Sequence, residues 1–169
     1  MVIFNKIRHL FTPARIINAE HNFSNQNFSG REFNGLNFSN MLIENSNFEN
    51  CVFNNCVFEN ALLENINMRN VSLKNTDIRN VKFYRVDLSY SYVLNSDISD
   101  SRFKNSIFEK SILRKTVFAF SSMPKMDFEN ADIENVSFLS CNLSKTKLPD
   151  ANLLVTNIQD LAYLKNKKI

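Results

Sequence analysis

One apolar residue returns at every fifth position along most of this chain. From Phe23 to Ile158 it does so at twenty-eight consecutive places without a slip of phase. The series starts Phe23, Phe28, Phe33, Phe38, Ile43, Phe48, Phe53, Phe58 and Leu63, and it closes Leu143, Leu148, Leu153 and Ile158. A period of five suits neither regular element. Successive helical residues turn by about 100°, so side chains five apart drift around the axis and make no buried stripe. A straight strand reverses its face at every residue, so every second member of an odd-period series points outward. The series is buried on one side only if the chain bends once per repeat. A chain that bends that way at every repeat winds into a solenoid.

The flanking positions agree. Two residues before the central one sits a compact side chain, as at Cys51, Cys56, Ala61, Val71, Thr76, Val81, Ser96, Ser101, Ala131, Thr146 and Ala151. Two residues after it sits Asn in half the repeats, with Gly at 30 and 35. Asn and Gly accept φ > 0 at low cost, as the third residue of a type II turn requires, so they mark the corners. On this reasoning, repeats ending in Arg85, Tyr90, Lys110, Lys115 or Phe120 are expected to turn differently, because their Cβ penalises positive φ.

These residues resemble the pentapeptide repeat family, whose unit reads roughly Ala-Asp/Asn-Leu-x-x. Ala131-Asp132-Ile133-Glu134-Asn135 and Ala151-Asn152-Leu153 come close to it, and the likeness covers about 139 of 169 residues. Phe is commoner here than Leu at the centre, and Ser, Thr, Cys or Val often replaces Ala. The resemblance implies an all-β solenoid: a right-handed quadrilateral β-helix with four repeats per coil. Period five alone does not choose four over three. Twenty-eight repeats then make about seven coils. The expected division is a capping segment over residues 1–20, the β-helix over 21–160, and a cap or oligomerisation tail over 161–169.

In residues 1–20, Ile3, Phe4, Ile7, Leu10 and Phe11 recur at helical spacing around Lys6, Arg8 and His9. Such a helix either covers the open first coil or lies on a membrane surface. No apolar run is long enough to span a bilayer as a helix, and there is no continuous apolar core of a signal peptide. Three Cys at the compact position read as buried thiols. The expected compartment is the cytoplasm.

Formal net charge is only +3, but its distribution is uneven. The first third carries Glu44, Glu49, Glu59 and Glu64, a candidate acidic face. Folded at twenty residues per coil, Lys82, Arg85, Arg102, Lys104, Lys125 and Lys145 share one face. That stripe reads either as a solvated surface or as a phosphate-binding one. Direct nucleic-acid binding is not expected, because neither stacking aromatics nor a recognition motif accompanies it.

Outward positions that the pattern assigns to polar residues instead hold Tyr84, Tyr90, Tyr92, Leu94, Ile107, Ile112, Val117 and Phe120. Contiguous exposed apolar surface marks contact sites. With Leu154, Val155 and the tail residues Leu161, Tyr163 and Leu164, these form the candidate interaction surface.

No catalytic constellation is visible: His9 and His21 precede the array, and there is no phosphate loop or nucleophile motif. No metal or cofactor site is expected. The chain reads as a non-catalytic scaffold that binds a protein partner and self-associates, as a homodimer. The resemblance supplies an alternative, binding of a type II topoisomerase such as DNA gyrase by mimicry of duplex DNA, but a mimic should be strongly acidic and this chain is slightly basic.

Overall fold

The computed structural model describes residues 23–149 together with the backbone of Asn157–Ile158. It contains twelve short strands: β1 (Glu32–Asn34), β2 (Leu42–Glu44), β3 (Val52–Asn54), β4 (Leu62–Asn67), β5 (Ser72–Lys74), β6 (Lys82–Asp87), β7 (Tyr92–Leu94), β8 (Arg102–Lys104), β9 (Ile112–Arg114), β10 (Asp132–Glu134), β11 (Ser137–Phe138) and β12 (Asn157–Ile158). All pairing is parallel. One sheet runs β1-β3-β5-β7-β9-β10, a second β2-β4-β6-β8, and β11 pairs with β12.

Every pair has a register of twenty residues, as in Phe33↔Phe53, Leu63↔Phe83 and Val93↔Leu113. Isolated bridges such as Asn47↔Asn67 and Asp97↔Val117 keep the same interval on two further sides. Twenty residues are four repeats, so the solenoid is four-sided. Five complete turns separate β1 from β10. That is slightly fewer than the expected seven coils, because the first and last repeats lie outside the described residues or at their edge. The segments 1–20 and 161–169, with their expected capping roles, also lie outside them.

Packing follows from the beat. Every central residue from Phe23 to Leu148 is buried, and so is the compact position beside it from Ser46 to Thr146. Phenyl rings twenty residues apart stack face to face: Phe38 on Phe58 at 4.5 Å and 7°, Phe83 on Phe103 at 4.4 Å and 6°, and Phe108 on Phe128 at 5.4 Å and 2°. Rings on adjacent sides of a coil meet edge to face, as Phe33 does Phe38 at 81°, and so do rings across the coil, as Phe108 does Phe118 at 89°. Both geometries suit the ring quadrupole.

The corners overturn one expectation. Positive φ occurs at every fifth residue from Asn25 to Lys145, whatever the side chain. Arg85 (54°), Tyr90 (61°), Lys110 (54°), Lys115 (50°) and Phe120 (59°) match Asn50 (59°) and Asn60 (63°). The hydrogen bond that closes the turn does not sort with side-chain type either. Hydrogen bonds between residues three apart close the corners at Asn50, Asn60, Tyr90 and Lys110 alike, as in Cys51 N–H to Phe48 O at 3.1 Å and Ser91 N–H to Leu88 O at 3.2 Å. Among the described residues, Asn45, Asn55 and Asn75, which follow β2, β3 and β5, turn with the same φ and without that closing bond. The cause lies between coils. Most corner N–H groups donate to a carbonyl of the next coil, for example Tyr90 to Glu109 and Phe120 to Leu139, both at 2.9 Å. Leaving the register would orphan these bonds, and the surroundings therefore hold bulky residues in a conformation that costs them about 1–2 kcal/mol.

Candidate functional site

Because the interior is filled, whatever this molecule binds meets its outer surface. A recess of about 320 Å³ is lined by Asn75, Thr76, Asp77, Arg79, Asn95 and Asp97, but it is open to solvent. Within it Asp77 and Arg79 form an ion pair at 2.6 Å, and the Arg79 hydrogen bond holds the Asp77 carboxyl below its ordinary value. Among the described residues no three His, Cys, Asp or Glu side chains gather into a metal-binding group.

The register divides the outward apolar residues among all four sides. Tyr92, Leu94 and Ile112 lie together on the β1 face, where Tyr92 pairs with Ile112 and Leu94 with Arg114. Tyr84 is on the β2 face, Ile107 on the side that carries Asp87, and Val117 on the side that carries Asp97. Tyr90 and Phe120 are corners. The set is therefore not one surface, a point that linear spacing concealed. The most exposed members are Phe120 at 62%, Tyr90 at 43% and Ile112 at 40%. Leu42, 52% exposed above Leu62 in the β2 face, belongs with them and was missed, because its neighbours in sequence look like an ordinary repeat. Leu154, Val155, Leu161, Tyr163 and Leu164 lie outside the described residues.

The tyrosines are capped by cations. Arg85 stands 4.1 Å and Lys104 5.0 Å from the Tyr84 ring centroid. Arg69 and Lys110 flank Tyr90, and Lys74 approaches Tyr92. Cation–π contacts of this kind account locally for part of the outward aromatic content.

Nor do the four glutamates make one acidic face. Glu44 and Glu64 stack on the β2 face, while Glu49 and Glu59 lie beside the bridges at Asn47 and Val57, on two other sides. Glu64 is paired with Arg85 at 2.7 Å. The basic residues, by contrast, do converge. Lys82, Arg102 and Lys104 belong to adjacent strands β6 and β8 of the β2 face, and Arg85, Lys125 and Lys145 follow at its corner. All six are exposed. Among the described residues Lys82, Arg102, Lys104, Lys125 and Lys145 meet no carboxylate.

The compact column has a polar role that residue size alone did not reveal. Its hydroxyls and thiols donate to a carbonyl one coil back: Ser46 to Phe23 at 2.7 Å, Cys51 to Phe28 at 3.0 Å, Ser101 to Ile78 at 3.0 Å and Cys141 to Phe118 at 2.8 Å. Ser101 Oγ also accepts from Val81 N–H at 3.0 Å. The Cys are free thiols; burial raises the pKa of Cys51 and pushes Cys56 up to about 11. Outside, corner Asn side chains form ladders, Asn65 to Asn45 at 2.9 Å and Asn70 to Asn50 at 2.6 Å.

Unbroken period, twenty-residue register and Asn ladders define the architecture, and the family comparisons give it a name. The model of pentapeptide repeats matches residues 111–150, with eight copies. The chain belongs to the pentapeptide repeat family. A second family model, described as the SV2A/B/C luminal domain, matches residues 9–103, more than half of the chain, and the earlier repeats belong to that family. No curated protein matches the sequence. Solved structures similar to this pentapeptide repeat chain include trypsin-treated QnrB1, a plasmid-mediated fluoroquinolone resistance protein, at 14% identity and TM-score 0.34 over 80% of this chain and 79% of that one. A pentapeptide repeat protein of the Arabidopsis thaliana thylakoid lumen has 17% identity and TM-score 0.26 over 72% and 71%. Rfr23 from the cyanobacterium Cyanothece 51142 has 13% identity and TM-score 0.25 over 92% and 98%.

Proposed function

We propose that this pentapeptide repeat protein is a non-catalytic scaffold that works by protein–protein contact, first with a second copy of itself. The observation that carries this is the apolar group Tyr92, Leu94 and Ile112 on the flat β1 face. Covering what they leave exposed contributes about 2–3 kcal/mol, at 1.5–3 kcal/mol for a whole large side chain. Association costs on the order of 4–15 kcal/mol, so a second surface must share the contact. Val117 supplies one: it follows Ile112 around the Lys115 corner of the same coil and is 37% exposed. Pairing of these surfaces about a two-fold gives a closed homodimer.

Sedimentation velocity tests this. The wild type should sediment as a dimer at tens of micromolar, and Ile112→Glu as a folded monomer. A wild type that stays monomeric, or an Ile112→Glu dimer, removes the reading. A second reading, that the chain binds a type II topoisomerase by mimicking the charge of duplex DNA, has the charge distribution against it. An acidic mimic needs a continuous anionic surface, and the glutamates here occupy three sides. Loss of supercoiling inhibition or protection on changing Glu44 and Glu49 to Gln would restore it.

A further inference from the structure

The basic half of the β2 face has no role in that contact, and among the described residues its exposed cations outnumber the carboxylates beside them. Its cations form a two-dimensional array rather than a line. Lys82 and Arg102 are register neighbours at one edge of the strands, Lys104 lies above Tyr84 at the other, and Arg85, Lys125 and Lys145 continue along the corner. From the coil of Lys82 to the coil of Lys145 is three steps, about 14 Å at roughly 4.8 Å per step. Arg85 pairs with Glu64, which leaves five cations that meet no carboxylate among the described residues. Its acidic neighbours are Asp100 at the corner two residues before Arg102, Glu44 two coils below Tyr84, and, around the Arg85–Lys125 corner, Asp87 and Asp127, which pair with Arg69 and Lys147 instead. At the opposite edge of the basic half stands the corner residue Phe120, 62% exposed, with half-buried Leu139 one coil on.

We infer that this face docks on an anionic lipid surface, with Phe120 entering the headgroup layer. Three features favour a membrane plane over a nucleic acid. The cations spread across a flat sheet, so a planar target meets them together. The one outward aromatic on the sheet among the described residues, Tyr84, already lies against Arg85 and Lys104 and is not free to stack on a base. The exposed phenyl at the rim gains nothing from phosphates but gains from the boundary between headgroups and acyl chains.

Each Lys or Arg near an anionic leaflet is worth about 1 kcal/mol, roughly a fivefold gain in partitioning. The full-length protein should pellet with vesicles of phosphatidylcholine containing phosphatidylserine, and much less with phosphatidylcholine alone. Added salt should weaken the binding. Replacing Lys82, Arg102 and Lys104 together by Gln should lower the partition coefficient roughly a hundredfold. Phe120→Ser should lower it several-fold without changing its salt dependence. Circular dichroism melts confirm that each variant is folded, and Lys110→Gln on a different corner, where the lysine already pairs with Glu109, serves as a folded control that should bind as wild type. Equal binding to neutral vesicles, no vesicle binding, unchanged binding by the triple variant, or capture of a single-stranded oligonucleotide with none of vesicles overturns the inference. Because the vesicle assay does not depend on Ile112, its result is independent of the dimer.

Discussion

Lys115 offers a way to weigh a corner. It holds φ at +50°, is exposed, and forms no ion pair among the described residues. Twenty residues before and after it stand Asn95 and Asn135, both at positive φ, and Asn95 already donates its amide to Asn75 at 3.3 Å. Lys115→Asn removes most of a left-handed penalty of about 1–2 kcal/mol. It also extends the Asn75–Asn95 ladder toward Asn135 with up to two exposed amide bonds, each worth about 0.5 kcal/mol at the lower end of the usual range. The expected gain is about 2 kcal/mol, or roughly 4–8 °C in Tm for a chain of this size. Lys115→Ala keeps the penalty and gains no ladder, so it should stay within about 0.5 kcal/mol of wild type. Thermal and urea unfolding of the three proteins, followed by circular dichroism, measure this directly. If Lys115→Asn is no more stable than Lys115→Ala, corner conformation and Asn ladders are not energetically significant here, and the reasoning fails.

Two more expectations concern the interior. Ser101→Ala should cost about 1–3 kcal/mol in urea unfolding, because it orphans the buried Ile78 carbonyl and Val81 N–H. Ser91→Ala, equally buried but with a hydroxyl that finds no partner among the described residues, should be close to neutral, and equal losses would contradict the hydrogen-bond assignment. Cys56 has a folded pKa of about 11 against an ordinary 9.0, so its neutral thiol stabilises the fold fully below pH 9. As pH rises toward 11 the unfolded thiol ionises first and that stability is lost. Wild type should therefore lose ground relative to Cys56→Ala between these values; parallel stability curves would refute the shift.

Much of this molecule is legible in one dimension. The beat from Phe23 to Leu148 identifies every central core residue, because a side chain whose inward direction recurs at fixed spacing must be apolar wherever it recurs. The compact column and the corners are legible for the same local reason. What local spacing does not contain is which residues meet across coils. The twenty-residue register puts Tyr92 beside Ile112 and separates both from Tyr84 and Ile107, and it gathers Lys82, Arg102 and Lys104 while scattering Glu44, Glu49 and Glu59. It also overrules side-chain preference at Tyr90, Lys110 and Phe120, whose backbones turn as Asn does. The solenoid, its core and its corner positions are written into the chain, since each depends on the five residues of a repeat. The tertiary structure alone decided the faces and the corner conformations, because those depend on inter-coil hydrogen bonds made between residues twenty positions apart.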